Sequence, residues 1–396
     1  MKKVLITLVV IMFVISSLVG CKAPEAPPTT PPAVPPTAPP IVPPVAPPVA
    51  PPVAPPVAVP EEPYYQGKTI TMVNNTAPGG GTDIWARLLA RHLPKFIPGS
   101  PAVICRNMTA GGGIVAVNYV YEVARPDGLV LLSGSLTPVV MNVLRTSDVT
   151  YHMEEMPCVL GFSGATVLVT KPEFAKDAKD LMDAEGLIFG REGPATGSAL
   201  PVIWAIELLG FPVEKFVWGY TGGGPARLAF LSGEINIHQE SVLGYNTSLL
   251  PYVETGEVVA LFQSGILDTE GNVIRDPSAP DIPTLEEVYE EIHGELPSGS
   301  TYDVYKVLVV GMRNCGKYLT FPPGTPDHII DIWHRAVRDM ANDSEFMEQF
   351  HRMSPGVEML LYEDFPGLWE STLNPPAGVV ALAKKVLIEK YGAVFD

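Results

Sequence analysis

Four short segments of this 396-residue chain place glycine and small hydroxyl residues where bare backbone can meet a ligand. They are Pro78-Gly79-Gly80-Gly81-Thr82-Asp83, Thr109-Ala110-Gly111-Gly112-Gly113, Gly193-Pro194-Ala195-Thr196-Gly197-Ser198 and Tyr220-Thr221-Gly222-Gly223-Gly224-Pro225. Glycine allows close approach of the main chain, and a helix N-terminus offers unpaired N–H donors. Together they favour an anion without requiring lysine or arginine. The plainer alternative is that the glycines only permit tight turns. A nucleotide is disfavoured, because GxxxxGK[ST] is absent and no GxGxxG follows the first strand. The seven histidines lack HExxH or any paired spacing, so no metal site is expected. Gly161-Phe162-Ser163-Gly164 approaches a nucleophile elbow, but Ala165 stands where GxSxG needs its last glycine. No enzyme activity and no cofactor are expected.

These loops need elements to hold them, and the surrounding pattern supplies strand, loop and helix in repetition. The spacing predicts strands at 68–73, 102–106, 129–133, 166–170, 186–190, 215–218, 234–238, 258–263 and 305–310. Helices are expected at 84–93, 114–124, 174–183, 198–209, 225–232 and 326–342. Alternation of this kind argues for an α/β fold with mostly parallel strands flanked by helices.

The ends of the chain have a different character. Lys2-Lys3 and the apolar run Val4 to Val19 have the form of a secretory signal peptide, too short for a typical spanning helix. The run ends in Leu18-Val19-Gly20-Cys21, which resembles a bacterial lipobox and implies lipidation of Cys21. Residues 22–63 then hold 19 of the 43 prolines, including four consecutive Pro-Pro-Val-Ala units from Pro43 to Ala58. Such a stretch favours polyproline II and would act as a stiff tether. With 26 Lys+Arg against 43 Asp+Glu and a formal charge of −17, nucleic acid is an unsuitable partner. Beyond Cys21, the thiols Cys105, Cys158 and Cys315 permit one disulfide at most, and core packing explains them equally well.

Taken in order, the motifs resemble those of the substrate-binding proteins of tripartite tricarboxylate transporters. The matching residues run from Ala77-Pro78-Gly79-Gly80-Gly81-Thr82-Asp83 through Ala110-Gly111-Gly112-Gly113 and Arg125-Pro126-Asp127-Gly128 to Tyr220-Thr221-Gly222-Gly223-Gly224-Pro225. Leu231-Ser232-Gly233-Glu234, Pro280-Asp281-Ile282-Pro283-Thr284 and Pro323-Gly324-Thr325-Pro326 follow. The resemblance implies a two-lobed fold like that of type II periplasmic binding proteins, with the ligand cleft between the lobes. Residues 1–20 would be the signal peptide, 21–63 the anchor and tether, 64–169 with 305–396 lobe I, and 170–304 lobe II.

It also implies a lipid-anchored extracytoplasmic receptor that captures a small carboxylate and delivers it to integral membrane transporter subunits. A ligand-sensing or scaffold lipoprotein on the same fold is the alternative. Carried onto this chain, the ligand contacts fall on Pro78, Gly79, Gly80, Gly81, Thr82, Ala110, Gly111, Gly112 and Gly113. Ser133 and Ser135 complete the first lobe, and Thr196, Ser198, Tyr220 and Thr221 come from the second. Where the family has Val-Pro-Phe-Ala, this chain has Asn74-Asn75-Thr76-Ala77, which implies a more polar cleft wall. Arg191 reads either as a bidentate clamp for a second carboxylate or as an exposed charge beside Glu192. Glu240 reads either as an acceptor for a ligand ammonium or hydroxyl or as a structural hydrogen-bonding group near the hinge. The segment 312–321 has no counterpart in the family pattern.

Overall fold

The computed structural model describes residues 63–395. The expected signal peptide, the expected lipidation site Cys21 and the expected tether as far as residue 62 lie outside the described residues. Among the described residues thirteen strands appear: β1 Thr69–Asn74, β2 Ala102–Asn107, β3 Val130–Ser135, β4 Cys158–Phe162, β5 Thr166–Thr170, β6 Leu187–Arg191 and β7 Val213–Trp218 come first. They are followed by β8 Ile237–Ser241, β9 Val259–Gln263, β10 Ile266–Leu267, β11 Val273–Ile274, β12 Lys317–Thr320 and β13 Met359–Leu361. They build a six-stranded sheet in the order β13-β4-β12-β3-β1-β2, a five-stranded sheet in the order β7-β6-β8-β5-β9, and the small β10-β11 hairpin.

Both large sheets are mixed, which corrects the expectation of mostly parallel strands. β1 runs parallel to β2 and β3, whereas β12 is antiparallel to β3 and β4, and β13 to β4. In the second sheet β6 is parallel to β7 and β8, and β5 is antiparallel to β8 and β9. Successive β–loop–α units produce the parallel pairs. The antiparallel pairs arise where the chain changes sheet and comes back. It leaves the first sheet after β4 and enters the second at β5, so the change of sheet falls at residues 163–165, just before Thr170. It returns at Gly316, beyond Tyr305.

β1 shows how the faces are divided. Ile70 and Met72 join Trp85, Leu89, Trp333, Phe346 and Phe350 on one side of the sheet. Val73 points to the other side, into a core that continues through Leu168, Phe189 and Trp204 of the second sheet's surroundings. This is the two-residue alternation of a strand covered on both faces.

Two stretches depart from the expected elements. Residues 305–310 are helical, part of a continuous helical run over 300–315. Val307 to Val310 has strand-forming composition, but Leu308, Val309 and Val310 are buried among helices, and a short apolar run carries no period that distinguishes the two states. Residues 174–183 form turns with one short 3-10 turn at Asp180–Asp183. Asp177 accepts from the backbone N–H of Lys179 and Asp180, and Asp180 from that of Lys176. Those side-chain acceptors compete with helix hydrogen bonds. The segment 312–321, unplaced in the family pattern, contains β12, which lies in the interior of the six-stranded sheet between β3 and β4.

Candidate functional site

Helices Gly81–His92, Leu136–Leu144, Leu200–Leu209 and Gly223–Ser232 begin at the carboxyl ends of β1, β3, β6 and β7. Their first turns converge on the gap between the two sheets, the usual ligand position in open α/β folds. A cavity of about 80 Å³ lies there, lined from the first sheet's side by Thr76, Gly80, Gly81, Thr82, Ser135 and Thr137. Arg191, Glu192, Ser198, Gln239, Glu240 and Ser241 line it from the second, and Arg313 and Lys317 from the returning chain.

Three cations are buried at this cavity: Arg191 is 4% exposed, Arg313 6% and Lys317 7%. Arg191 Nη2 donates to Gln239 Oε1 at 3.0 Å, while its Nε and Nη1 have no hydrogen-bond partner among the described residues. Its Nε lies 3.5 Å from Glu192 Oε2, an ion-pair distance, and Glu192 also accepts from Ser198 Oγ at 2.5 Å. Arg313 Nη2 donates to the Gly197 carbonyl at 2.7 Å and its Nε has no hydrogen-bond partner among the described residues. Lys317 has no carboxylate within 4.0 Å among the described residues. Burial, and then the Arg313 charge, push the Lys317 ammonium down to about 8. Burial also lowers the Arg313 guanidinium, with Arg191 adding to the effect, to about 9. Both remain cations at neutral pH.

Glu240 is already engaged. Its Oε2 accepts from Arg227 Nη1 at 2.9 Å and lies 3.5 Å from His238 Nε2, and its Oε1 accepts from the Ser241 N–H at 3.1 Å. Burial alone would raise this carboxyl; the His238 contact and the Arg227 and Arg191 charges outweigh it and hold the group ionised. Burial holds the His238 imidazole neutral at the same time.

The residues expected to hold ligand divide between two places. Gly80, Gly81, Thr82, Ser135, Arg191, Ser198 and Glu240 line the inner cavity. Ala110, Gly111, Gly112, Thr196, Tyr220 and Thr221 line a separate cleft of about 420 Å³. Pro78, Gly79, Gly113 and Ser133 line neither. The Pro78 carbonyl lies 2.7 Å from where a Cβ on Gly224 would stand, so these glycine loops pack on each other across the gap. Gly111, Gly112 and Gly113 carry φ values of 61°, 65° and 95°, a left-handed run only glycine tolerates easily. A Cβ on Gly113 would meet the Asn75 carbonyl at 2.5 Å.

Two expectations about the cleft wall are revised. Asn74 and Asn75 are buried and bonded inward, Asn74 to Asp83 and Thr76, Asn75 reciprocally to Ser135, so of the polar trio Asn74-Asn75-Thr76 only Thr76 faces the cavity. Arg191 is buried, which removes the exposed-charge alternative. Arg313 and Lys317 escaped the motif reading because they sit in the segment without a family counterpart. The available signal was physical: two cations flanking Gly316, between the apolar runs 307–310 and 318–321. Burying them is costly unless something pairs with them.

Elsewhere, His92, Asp343 and Glu345 bring their ligating atoms within 4.8 Å of one another. Asp343 caps the Phe346 N–H and Glu345 pairs with Lys95 at 2.5 Å. Cys105, Cys158 and Cys315 are all free thiols. Among the described residues no helix is long and apolar enough to cross a membrane.

With two α/β sheets facing each other across a polar cavity, the fold is that of the periplasmic binding proteins. The solved structure of periplasmic binding protein BugD matches with a TM-score of 0.63 at 20% identity, over 81% of this chain and 98% of that one. MatC from Rhodopseudomonas palustris with bound malate matches with a TM-score of 0.60 at 20% identity, over 81% and 99%. In sequence, the chain is 27% identical over 232 residues to Protein BugT of Bordetella pertussis, covering 57% of this chain and 67% of the relative. A UPF0065 protein of the same organism is 27% identical over 305 residues, covering 74% and 82%. No protein-family model matches the chain. The resemblance carried by the glycine motifs holds: the sequence relatives are Bug and UPF0065 proteins, and a periplasmic binding protein, BugD, is among the structural neighbours.

Proposed function

We propose that the protein is an extracytoplasmic receptor that captures a small carboxylate by closure of two lobes and delivers it to integral membrane transporter subunits. Lipidated Cys21 and the proline-rich tether hold it at the membrane. The observation that carries this reading is the inner cavity, where buried Arg191 and Arg313 keep N–H donors with no hydrogen-bond partner among the described residues. An anionic ligand would satisfy those donors and offset the cost of burying the charges. Bound malate in a structural neighbour supports the same ligand chemistry. The lobes are the six-stranded side and the five-stranded side, divided at the crossings 163–165 and Gly316 rather than at 170 and 305, with the two chain crossings serving as the hinge.

Thermal unfolding of the full chain in detergent tests the ligand. At a hundredfold excess over Kd a true ligand stabilises by about 2.7 kcal/mol. Mono- or dicarboxylates should raise the midpoint; a rise with sugars or amines and none with any carboxylate overturns the reading. Membrane attachment is tested separately by Cys21→Ser, which should abolish lipid labelling and move the protein from the membrane fraction.

A further inference from the structure

His92 closes the helix Gly81–His92, and its ring is buried at 1% exposure. Neither Nδ1 nor Nε2 has a hydrogen-bond partner among the described residues. A neutral imidazole carries one donor and one acceptor, so leaving both unmet in the interior is costly. The ring stands edge-on to Phe346 of the helix Ser344–Met353, with centroids 5.4 Å apart. Two carboxylates at the start of that helix approach it. Asp343 is the N-cap, its Oδ1 accepting from the Phe346 N–H at 2.9 Å, and Glu345 lies in the first turn. One ring nitrogen and one oxygen from each carboxylate lie within 4.8 Å of one another. Donor atoms around a four-coordinate zinc ion stand about 3.3 Å apart, so the three groups need to close by no more than about 1.5 Å. Lys95 pairs with Glu345 at 2.5 Å, but these side chains are 49% and 62% exposed. Such a pair contributes little, and either side chain can swing away.

We propose that His92, Asp343 and Glu345 form a binding site for a divalent first-row transition ion such as zinc, with solvent in the fourth position. An imidazole nitrogen with two carboxylate oxygens suits that ion, whereas magnesium and calcium take sets made of oxygen alone. The exposed Glu345 gives the ion a way in, and the buried His92 gains a partner for a ring nitrogen. Once bound, the ion ties the end of helix Gly81–His92 to the start of helix Ser344–Met353, so its binding adds to the stability of the fold. The first of these helices opens at the inner cavity with Gly81 and Thr82, so the tie anchors the far end of the element that presents the first glycine motif. None of the three ligands lines the inner cavity or the neighbouring cleft, and the site does not depend on carboxylate capture. Histidine spacing gave no sign of it, because the ligands come from positions 92, 343 and 345.

Calorimetric titration of the full chain in detergent, stripped of metal by a chelator and with zinc chloride as the probe, tests the site. One ion should bind per chain, and zinc should raise the melting temperature where magnesium does not. Glu345→Gln, at an exposed position, should weaken zinc by about tenfold or more. His92→Phe keeps a buried ring without a ligand atom and should abolish the event. Lys95→Gln removes the competing cation and should tighten zinc by about threefold. Because His92→Phe alters a packed position, cobalt on the unmodified protein supplies an independent measurement. It should give the visible absorption of a four-coordinate nitrogen and oxygen site, and Glu345→Gln should remove it. No zinc event in the unmodified protein, or zinc binding unchanged in Glu345→Gln and in His92→Phe, overturns the proposal. So does a cobalt spectrum that Glu345→Gln leaves intact.

Discussion

Asp83 ends the first glycine motif and organises it without facing the inner cavity. Its carboxylate accepts from the Gly79 N–H at 2.9 Å, Asn107 Nδ2 at 2.8 Å, Arg87 Nε at 2.8 Å and Asn74 Nδ2 at 3.2 Å. Burial works to raise this carboxyl, but the bonds from Arg87, Asn107 and Gly79 prevail and lower it. A depressed carboxyl stabilises the fold fully above its unfolded value, near 4, and loses that contribution as pH falls through the folded value. Asp83→Asn should therefore cost about 2–3 kcal/mol at neutral pH and leave a flatter acid limb in denaturant titrations between about pH 5 and 2. An unchanged acid limb would show that Asp83 does not carry this dependence. The motif was legible in the sequence, but its last residue holds the loop in shape while Gly80, Gly81 and Thr82 face the cavity. Residue type alone does not separate those duties, because both require the same polar turn.

At the scale of elements, the loops after β1, β2, β6 and β7 were readable because glycine, a helix start and a preceding strand are all local in sequence. What local pattern could not convey is which loops touch. Gly224 opens the helix Gly223–Ser232, and an added Cβ there would lie 2.7 Å from the Pro78 carbonyl, across the gap between the sheets. Its own φ is not in the left-handed region, so alanine suits the helix and even favours it by up to about 1 kcal/mol. Gly224→Ala must push the Pro78 carbonyl aside or part the sheets, so it should lower the melting temperature of the ligand-free protein modestly while weakening carboxylate binding at least tenfold. Unfolding curves and titration on one preparation distinguish this from general damage; unchanged affinity would mean the loops need not meet for capture. β12 illustrates the opposite limit of legibility. Its pairing partners β3 and β4 lie far back in the chain, and nothing within Lys317–Thr320 announces an interior antiparallel strand. Insertion between distant strands is decided by tertiary burial.

For the whole molecule, the decisive question is what holds the two sheets together around the inner cavity. The two chain crossings lie side by side, with the Gly164 N–H donating to the Arg313 carbonyl at 3.3 Å. Such a pair of adjacent connecting segments can bend without breaking a core. Across the gap from them, Arg227 Nη1 bonds Glu240 at 2.9 Å while its Nη2 donates to the Gly79 carbonyl at 2.8 Å. One guanidinium therefore serves a carboxylate of the five-stranded side and a backbone carbonyl of the six-stranded side. This is a geometry that a fork can satisfy and an ammonium cannot satisfy equally well. Arg227→Lys keeps a charge for Glu240 but weakens the link to Gly79, so it should shift the ligand-free population toward the open state. Hydrogen exchange of the Gly79–Gly81 and Gly223–Gly224 amides should accelerate about tenfold in the variant, equivalent to about 1.4 kcal/mol of lost protection. Saturating carboxylate should restore the slow rates, because ligand contacts replace the lost latch. Exchange that is equally slow in variant and parent without ligand would show that loop packing holds the sheets and Arg227 does not. Fast exchange that ligand fails to slow would show that Arg227 is required for closure itself.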